Sequence, residues 1–188
     1  MFQYGNKLSK RNEDVNNKRE IVLFLKKASD AGHLESMLNY GFIIDEGIGV
    51  QPNPKEASKY IRVLAQSGNV DAMIRYGVKL YNGSGIEVNK EESIRYFKEA
   101  ADKGHSSAMF NYATMLYRGE GISLNKEESI KYFKMAADEG NPNAMFNYAV
   151  ILEKGDGVPV NKEEAIKYYK MAINEGDSIY MNNYANML

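Results

Sequence analysis

The chain contains no cysteine, so neither a disulfide nor a thiolate zinc site is open to it. Its two histidines are too few for most metal or acid–base constellations. Neither charge dominates: 24 Lys and Arg stand against 25 Asp and Glu, giving a net charge of -1 and a pI near 6.2. That balance argues against a general nucleic-acid binder, which carries a basic excess. No apolar run approaches the roughly 20 residues that a membrane span needs. The sequence also lacks a G-x-S-x-G elbow, an H-E-x-x-H zinc motif and a phosphate-binding P-loop. Gly155-Asp156-Gly157 lacks the further carboxylates of a calcium loop. These absences set the expectation of a protein that is not an enzyme, with no cofactor, metal or small-molecule substrate.

What is present is repetition. NKEESI occurs at Asn89 and again at Asn125, and NKEEAI follows at Asn161. Glycine returns at one fixed step: Gly32, Gly68, Gly104, Gly140 and Gly176. Asn17, Asn53, Asn89, Asn125 and Asn161 keep the same 36-residue step, as do Tyr40, Tyr76, Tyr112, Tyr148 and Tyr184 and the methionines from Met37 to Met181. A period in this range marks a stacked-repeat architecture. The 188 residues, 44% hydrophobic and 26% charged, fit one soluble globular domain.

Each unit reads as two helices. The recurrent asparagine is a helix N-cap, and the glutamate three residues on (Glu20, Glu56, Glu92, Glu128, Glu164) predicts a capping box. Ile94, Phe97 and Ala101 then share a face, beside Tyr96 and Ala100. Gly104 and its counterparts are expected to end the first helix in a left-handed conformation. The next residue (His33, Asn69, His105, Asn141 or Asp177) is expected to cap the second helix, and Pro54 and Pro142 suit first-turn positions. The second helix carries Ala108, Met109, Tyr112, Ala113, Leu116 and Tyr117, with Ala101 and Ala108 small enough for axes roughly 8 Å apart. The glycine pairs Gly47/Gly49, Gly83/Gly85, Gly119/Gly121 and Gly155/Gly157 punctuate the return to the next unit. A hairpin of this size cannot bury both faces alone, whereas stacked neighbours can. The predicted fold is therefore all-α, an α/α right-handed solenoid of 36-residue helix–turn–helix units.

Ser93, Tyr96, Phe97, Ala100, Ala101, Gly104, Ala108, Gly119, Gly121 and Ile122, recurring in the other units, resemble the Sel1-like repeat family, relatives of the tetratricopeptide repeats. Where that family has L-G-x-x-Y, this chain has Y-A-x-x-L at Tyr112, Ala113 and Leu116. The bulky and smaller partners trade places one turn apart on one face, which roughly conserves core volume. The resemblance implies a scaffold that gathers proteins rather than a catalyst.

The register also reaches both ends. Met1, Gln3, Tyr4, Gly5 and Leu8 align with Met37, Asn39, Tyr40, Gly41 and Ile44. The expected organisation is a single solenoid over 1–188: a remnant of a preceding second helix and linker in 1–16, repeats 17–52, 53–88, 89–124 and 125–160, and a truncated repeat 161–188. The expectation is a segment of a longer array, or an array with unusual caps. Met1 to Lys10 has no apolar leader segment, which favours the cytoplasm, although a missing native start leaves the compartment open.

Two stripes are candidate binding surfaces. On the first helices, the seventh and tenth positions are basic: Lys59 and Arg62, Arg95 and Lys98, Lys131 and Lys134, Lys167 and Lys170. Stacking aligns them into a basic column suited to an acidic protein or peptide. The same residues also allow intrahelical pairs Glu91–Arg95, Glu127–Lys131 and Glu163–Lys167, each worth about 0.3 kcal/mol. On the second helices, Asn39, Arg75, Asn111, Asn147 and Asn183 hold one position amid apolar neighbours. A repeated amide either grips an extended peptide backbone or ties adjacent units together. The expected partner is thus a protein or peptide rather than nucleic acid or membrane. The alternatives are an auxiliary module of a larger signalling enzyme, or an RNA-binding helical array, which uses units of similar length.

Overall fold

In the computed structural model, the structure describes residues 15–174. Every regular element among them is an α-helix, nine in all. The first helices of the units are α1 (Val15–Asp30), α3 (Pro54–Gln66), α5 (Lys90–Asp102), α7 (Lys126–Asp138) and α9 (Lys162–Asn174). The second helices are α2 (Leu34–Glu46), α4 (Val70–Asn82), α6 (Ser106–Arg118) and α8 (Pro142–Lys154). Packing runs chiefly between consecutive helices, α1 on α2, α2 on α3 and so on to α9. This nearest-neighbour packing is what makes the solenoid one-dimensional. None of the described helices is long and apolar enough to cross a membrane.

Helix starts follow the asparagines, with a twist on the expected capping box. The backbone N–H groups of Glu56, Glu92, Glu128 and Glu164 donate to the side-chain oxygens of Asn53, Asn89, Asn125 and Asn161 at 2.9–3.1 Å. The reciprocal half differs. The asparagine backbone N–H is already committed to a carbonyl of the preceding helix: Ile44, Leu80, Leu116 or Leu152. The glutamate carboxylate instead accepts from the asparagine Nδ2, at 2.9–3.3 Å. One asparagine thus caps a helix, closes the loop behind it and holds the glutamate in place.

The first unit departs from this pattern. Helix α1 already runs at Val15, which puts Asn17 inside the helix rather than at its start. In the sequence, Arg11 and Glu13 stand where later units carry the loop glycines, so the glycine pair that precedes each later first helix is missing here.

Within each hairpin the turn is the expected one. Gly32, Gly68, Gly104 and Gly140 have φ between 87° and 94°. The His105 N–H reaches back to the Ala100 carbonyl and the Gly104 N–H to Ala101, and the same pair of bonds recurs at the other three. This is the Schellman arrangement, which needs a left-handed residue after the helix.

The loops between units are tighter than simple punctuation. A Cβ on Gly85 would lie 2.3 Å from the Pro54 carbonyl, and one on Gly121 would lie 2.4 Å from the Lys90 carbonyl. The second loop glycine therefore seats the loop directly on the start of its own unit's first helix.

The core repeats as the sequence does. Ala72, Ala108 and Ala144 have no exposure, and Met73, Met109, Leu80, Leu116 and Leu152 are all buried. Small residues let neighbouring helices close up. Ser93 Oγ donates to the Gly77 carbonyl and Ser129 Oγ to Ala113, both at 2.7 Å, tying each first helix to the helix before it. One boundary breaks the apolar rule: Lys79, buried, stands where the other units have Ile43, Met115 and Ile151.

Candidate binding surface

The tyrosines of the second helices do more than fill volume. The rings of Tyr40, Tyr76, Tyr112 and Tyr148 stand edge-on to Tyr60, Tyr96, Tyr132 and Tyr168 of the following first helix, with centroids 4.8–5.1 Å apart. Tyr40 and Tyr112 donate to the capping glutamates Glu56 and Glu128 at 3.0 and 2.9 Å. The exchange of L-G-x-x-Y for Y-A-x-x-L therefore places a hydroxyl across the repeat boundary, not only an equivalent volume. A second set of bonds links successive first helices. Tyr60 donates to Asp30, Tyr132 to Asp102 at 3.2 Å, and Tyr168 to Asp138 at 2.7 Å. Burial, reinforced by Asp138, pushes the Tyr168 hydroxyl up to about 12. Burial alone would raise the Asp138 carboxyl, but bonds from Lys134 and Tyr168 outweigh it and hold the group below its usual range.

All eight residues of the basic column are exposed, but they divide into two groups. Three of the four tenth-position cations, Arg62, Lys98 and Lys134, belong to the network just described. Lys98 bonds Asp102 at 2.9 Å and Lys134 bonds Asp138 at 2.6 Å, while Arg62 lies beside the Tyr76 hydroxyl. Lys26, at the same position of the first unit and absent from the sequence-based column, pairs with Glu56. The seventh-position cations are different. Lys59, Arg95 and Lys131 form no ion pair among the described residues, and Lys167 lies over the Tyr168 ring at 5.7 Å. The expected Glu91–Arg95, Glu127–Lys131 and Glu163–Lys167 pairs are likewise not formed. Intrahelical pairing falls one turn later, where Asp102 and Asp138 are fixed by tyrosines from the next helix. Lys170 is exposed, with no ion pair among the described residues.

Asn39, Asn111 and Asn147 are half-buried, and none forms a hydrogen bond among the described residues. For these three, the tie between units, one of the two roles open to this column, is not made among the described residues. Arg75 instead lies over the Phe42 ring at 5.0 Å. Asn183 and Asp177 lie outside the described residues, as does the register match of Met1 to Leu8.

The opposite edge carries clusters that the sequence reading missed. Tyr81 donates to Glu120, which also pairs with Lys90 at 3.5 Å. Tyr117 donates to Asp156, which pairs with Lys126 at 2.5 Å. Each joins two units, and its members are 30 to 39 residues apart, too far for any local pattern to reveal. The two histidines also diverge. His33 Nδ1 accepts from the Ser36 N–H at 3.2 Å, as a cap should. His105 makes no cap bond, because the Ala108 N–H bonds the His105 carbonyl and the imidazole swings to within 3.8 Å of Asp71.

One cleft, of about 260 Å³, opens between α3 and α5, lined by Ala65, Gln66, Arg95, Tyr96 and Glu99.

With this geometry in view, comparison with known proteins is decisive. The Sel1 repeat model matches at 34–69, 70–105, 106–141 and 142–177. The chain belongs to the Sel1 repeat family. The period is the one read above, cut half a unit later. Comparison with curated protein sequences gives no match. Among solved structures, a protective antigen of uropathogenic Escherichia coli with this fold superposes at a TM-score of 0.82 and 26% identity, over 88% of this chain and 36% of that one. A Sel1 repeat protein from Oxalobacter formigenes gives 0.73 and 25%, over 85% and 71%. The chain thus spans little more than a third of the Escherichia coli protein. An immunity protein of Pseudomonas aeruginosa, Pa5087, shares the fold at a TM-score of 0.54 and 20% identity, over 82% of this chain and 57% of that one. Sel1 repeat arrays generally mediate protein–protein interaction and are typically non-catalytic scaffolds.

Proposed function

We propose that this Sel1 array is a non-catalytic adaptor that holds an acidic protein segment along the exposed face of its first helices. The observation that carries the reading is the split in the basic column. Lys59, Arg95, Lys131 and Lys167 occupy one position in successive units, exposed and in no ion pair among the described residues, Lys167 alone lying over a tyrosine ring and adding to the charges that lower Asp138. A solvated helix face can pair such cations with carboxylates one turn away, as Lys98 and Lys134 are paired here. A ladder of unpaired cations one repeat apart matches an extended chain carrying spaced negative charges. The unbonded amides of Asn39, Asn111 and Asn147 offer a donor and an acceptor each to a peptide backbone on the second helices.

The test is fluorescence anisotropy with a labelled hexaglutamate peptide. Binding is expected to weaken steeply as salt rises toward about 0.15 M, where the screening length is about 8 Å. Arg95→Glu with Lys131→Glu is expected to abolish it without loss of helicity. Salt-independent binding, or full affinity in the double variant, would count against the column. Preference for a mixed-sequence RNA over the peptide would turn the reading toward nucleic acid.

A further inference from the structure

At three of the four boundaries between successive first helices, one aspartate sits between the same two donors. Asp30 receives Tyr60 and lies 3.9 Å from Lys26; Asp102 receives Tyr132 and Lys98; Asp138 receives Tyr168 and Lys134. The α3–α5 boundary lacks this carboxylate, because Gln66 occupies the position. Its donors remain. The Tyr96 hydroxyl, on a side chain only 9% exposed, donates to no group among the described residues, and Arg62 has no carboxylate partner. The cleft of about 260 Å³ opens at this boundary, with Gln66 and Tyr96 in its wall and the unpaired Arg95 beside them. Glu99, also on the rim, lies 3.7 Å from Lys103. The gap is therefore defined by what the other three rungs contain: a single carboxylate, facing a phenol and a cation.

We infer that this cleft takes the carboxylate of an acidic side chain of the bound protein segment, which supplies in trans what Asp30, Asp102 and Asp138 supply within the chain. The incoming oxygens would accept from Tyr96 Oη and from the Arg95 guanidinium. Charge-assisted bonds of this kind are the strong ones, and the planar guanidinium suits a carboxylate better than an ammonium does. The inference rests on the first-helix face being the binding surface and names the point where the ligand is anchored.

Gln66→Asp tests it by filling the rung from within. Gln66 is exposed and the change copies the other three rungs, so the variant is expected to fold and to melt above the parent. Its affinity for labelled hexaglutamate is expected to fall about tenfold, the equivalent of one charge-assisted bond. Asn82→Asp adds the same charge at the end of α4 and is expected to change affinity less than about twofold, within the range of a surface charge pair. If Gln66→Asp binds like the parent while the Arg95→Glu, Lys131→Glu variant has lost binding, the cleft is overturned and the column stands. If the parent binds no hexaglutamate, an NMR titration with sodium acetate against sodium chloride separates the two ideas. Saturating shifts at the Gln66 side-chain amide and Arg95 Nε of the parent, with the Arg95 Nε shift lost in Gln66→Asp, would support the cleft without the column. Shifts that chloride reproduces would overturn both.

Discussion

The Lys79 ammonium lies 2.5 Å from the Asp45 carboxylate across a repeat boundary, with the lysine side chain 5% exposed and the aspartate 18%. The equivalent pairs at the next two boundaries are Met115 with Tyr81 and Ile151 with Tyr117. Removing one partner of a buried pair strands the other charge, at a cost of about 3–5 kcal/mol, whereas an apolar replacement of both is often neutral or better. Asp45→Ala is expected to destabilise the array by that amount. The double variant Asp45→Tyr, Lys79→Met, which copies the neighbouring boundary, is expected to match or exceed the parent in urea unfolding. A double variant as weak as Asp45→Ala would show that the pair is favourable in itself.

Two glycines with similar backbones separate conformational cost from contact cost. Gly104 has φ +88° and nothing within 4 Å of an added Cβ. Gly121 has φ +72°, and its added Cβ would meet the Lys90 carbonyl at 2.4 Å. Gly104→Ala is expected to cost the left-handed penalty of about 1–2 kcal/mol. Gly121→Ala must also push the loop off α5, so its denaturant midpoint is expected to fall clearly further. Equal losses would mean that the loop yields freely.

The period, the helix boundaries from the second unit on and the apolar faces were legible in the sequence because they rest on local chemistry. Asn125 caps, Gly140 turns and Ile130, Phe133 and Ala137 share a stripe, all within one unit. What was not legible spans two units. Nothing in a single unit tells that Tyr112 reaches Glu128, that Asp102 and Asp138 answer to tyrosines of the next helix, or that Lys98 is consequently engaged while Arg95 is not. The basic column was visible as a composition, and its division into engaged and open cations was visible only once the units were stacked. Gln66 illustrates the same limit: as a residue it is unremarkable, and it acquires meaning from the three aspartates that hold its place elsewhere.

Local and packed contributions are expected to differ in size. Asn125 accepts from the Glu128 N–H at 3.1 Å and donates to its carboxylate, also at 3.1 Å. Asn125→Ala is expected to cost about 1–2 kcal/mol, at the upper part of the range for a lost cap, because the glutamate is released as well. Leu116, 1% exposed, lies in the core between α6 and its neighbours. Leu116→Ala is expected to cost about 2–5 kcal/mol as a cavity. Equilibrium unfolding in urea measures both, and a Leu116→Ala variant as stable as the parent would place the packing face elsewhere.

The tyrosine network makes stability fall at high pH. Ten hydroxyls among the described residues are held above their ordinary value, most of them chiefly by burial. Tyr168 stands at about 12, and the Lys26 ammonium is raised chiefly by its bond to Glu56. A group with a raised folded pKa binds its proton more tightly in the folded state. Its contribution is complete below the unfolded value, about 10 for tyrosine, and is lost as pH rises through the folded one. Helical circular dichroism is therefore expected to hold to about pH 10 and to collapse cooperatively toward about 12, with tyrosinate absorbance at about 295 nm lagging and then rising in step with unfolding. On the acid side the sign reverses. Lys26 holds the Glu56 carboxyl below its usual range, so that contribution is present above about 4.3 and disappears as pH falls through the depressed value. Tyrosinate absorbance that completes near pH 10 with helicity intact would show that the hydroxyls are free and that the inter-repeat bonds contribute little.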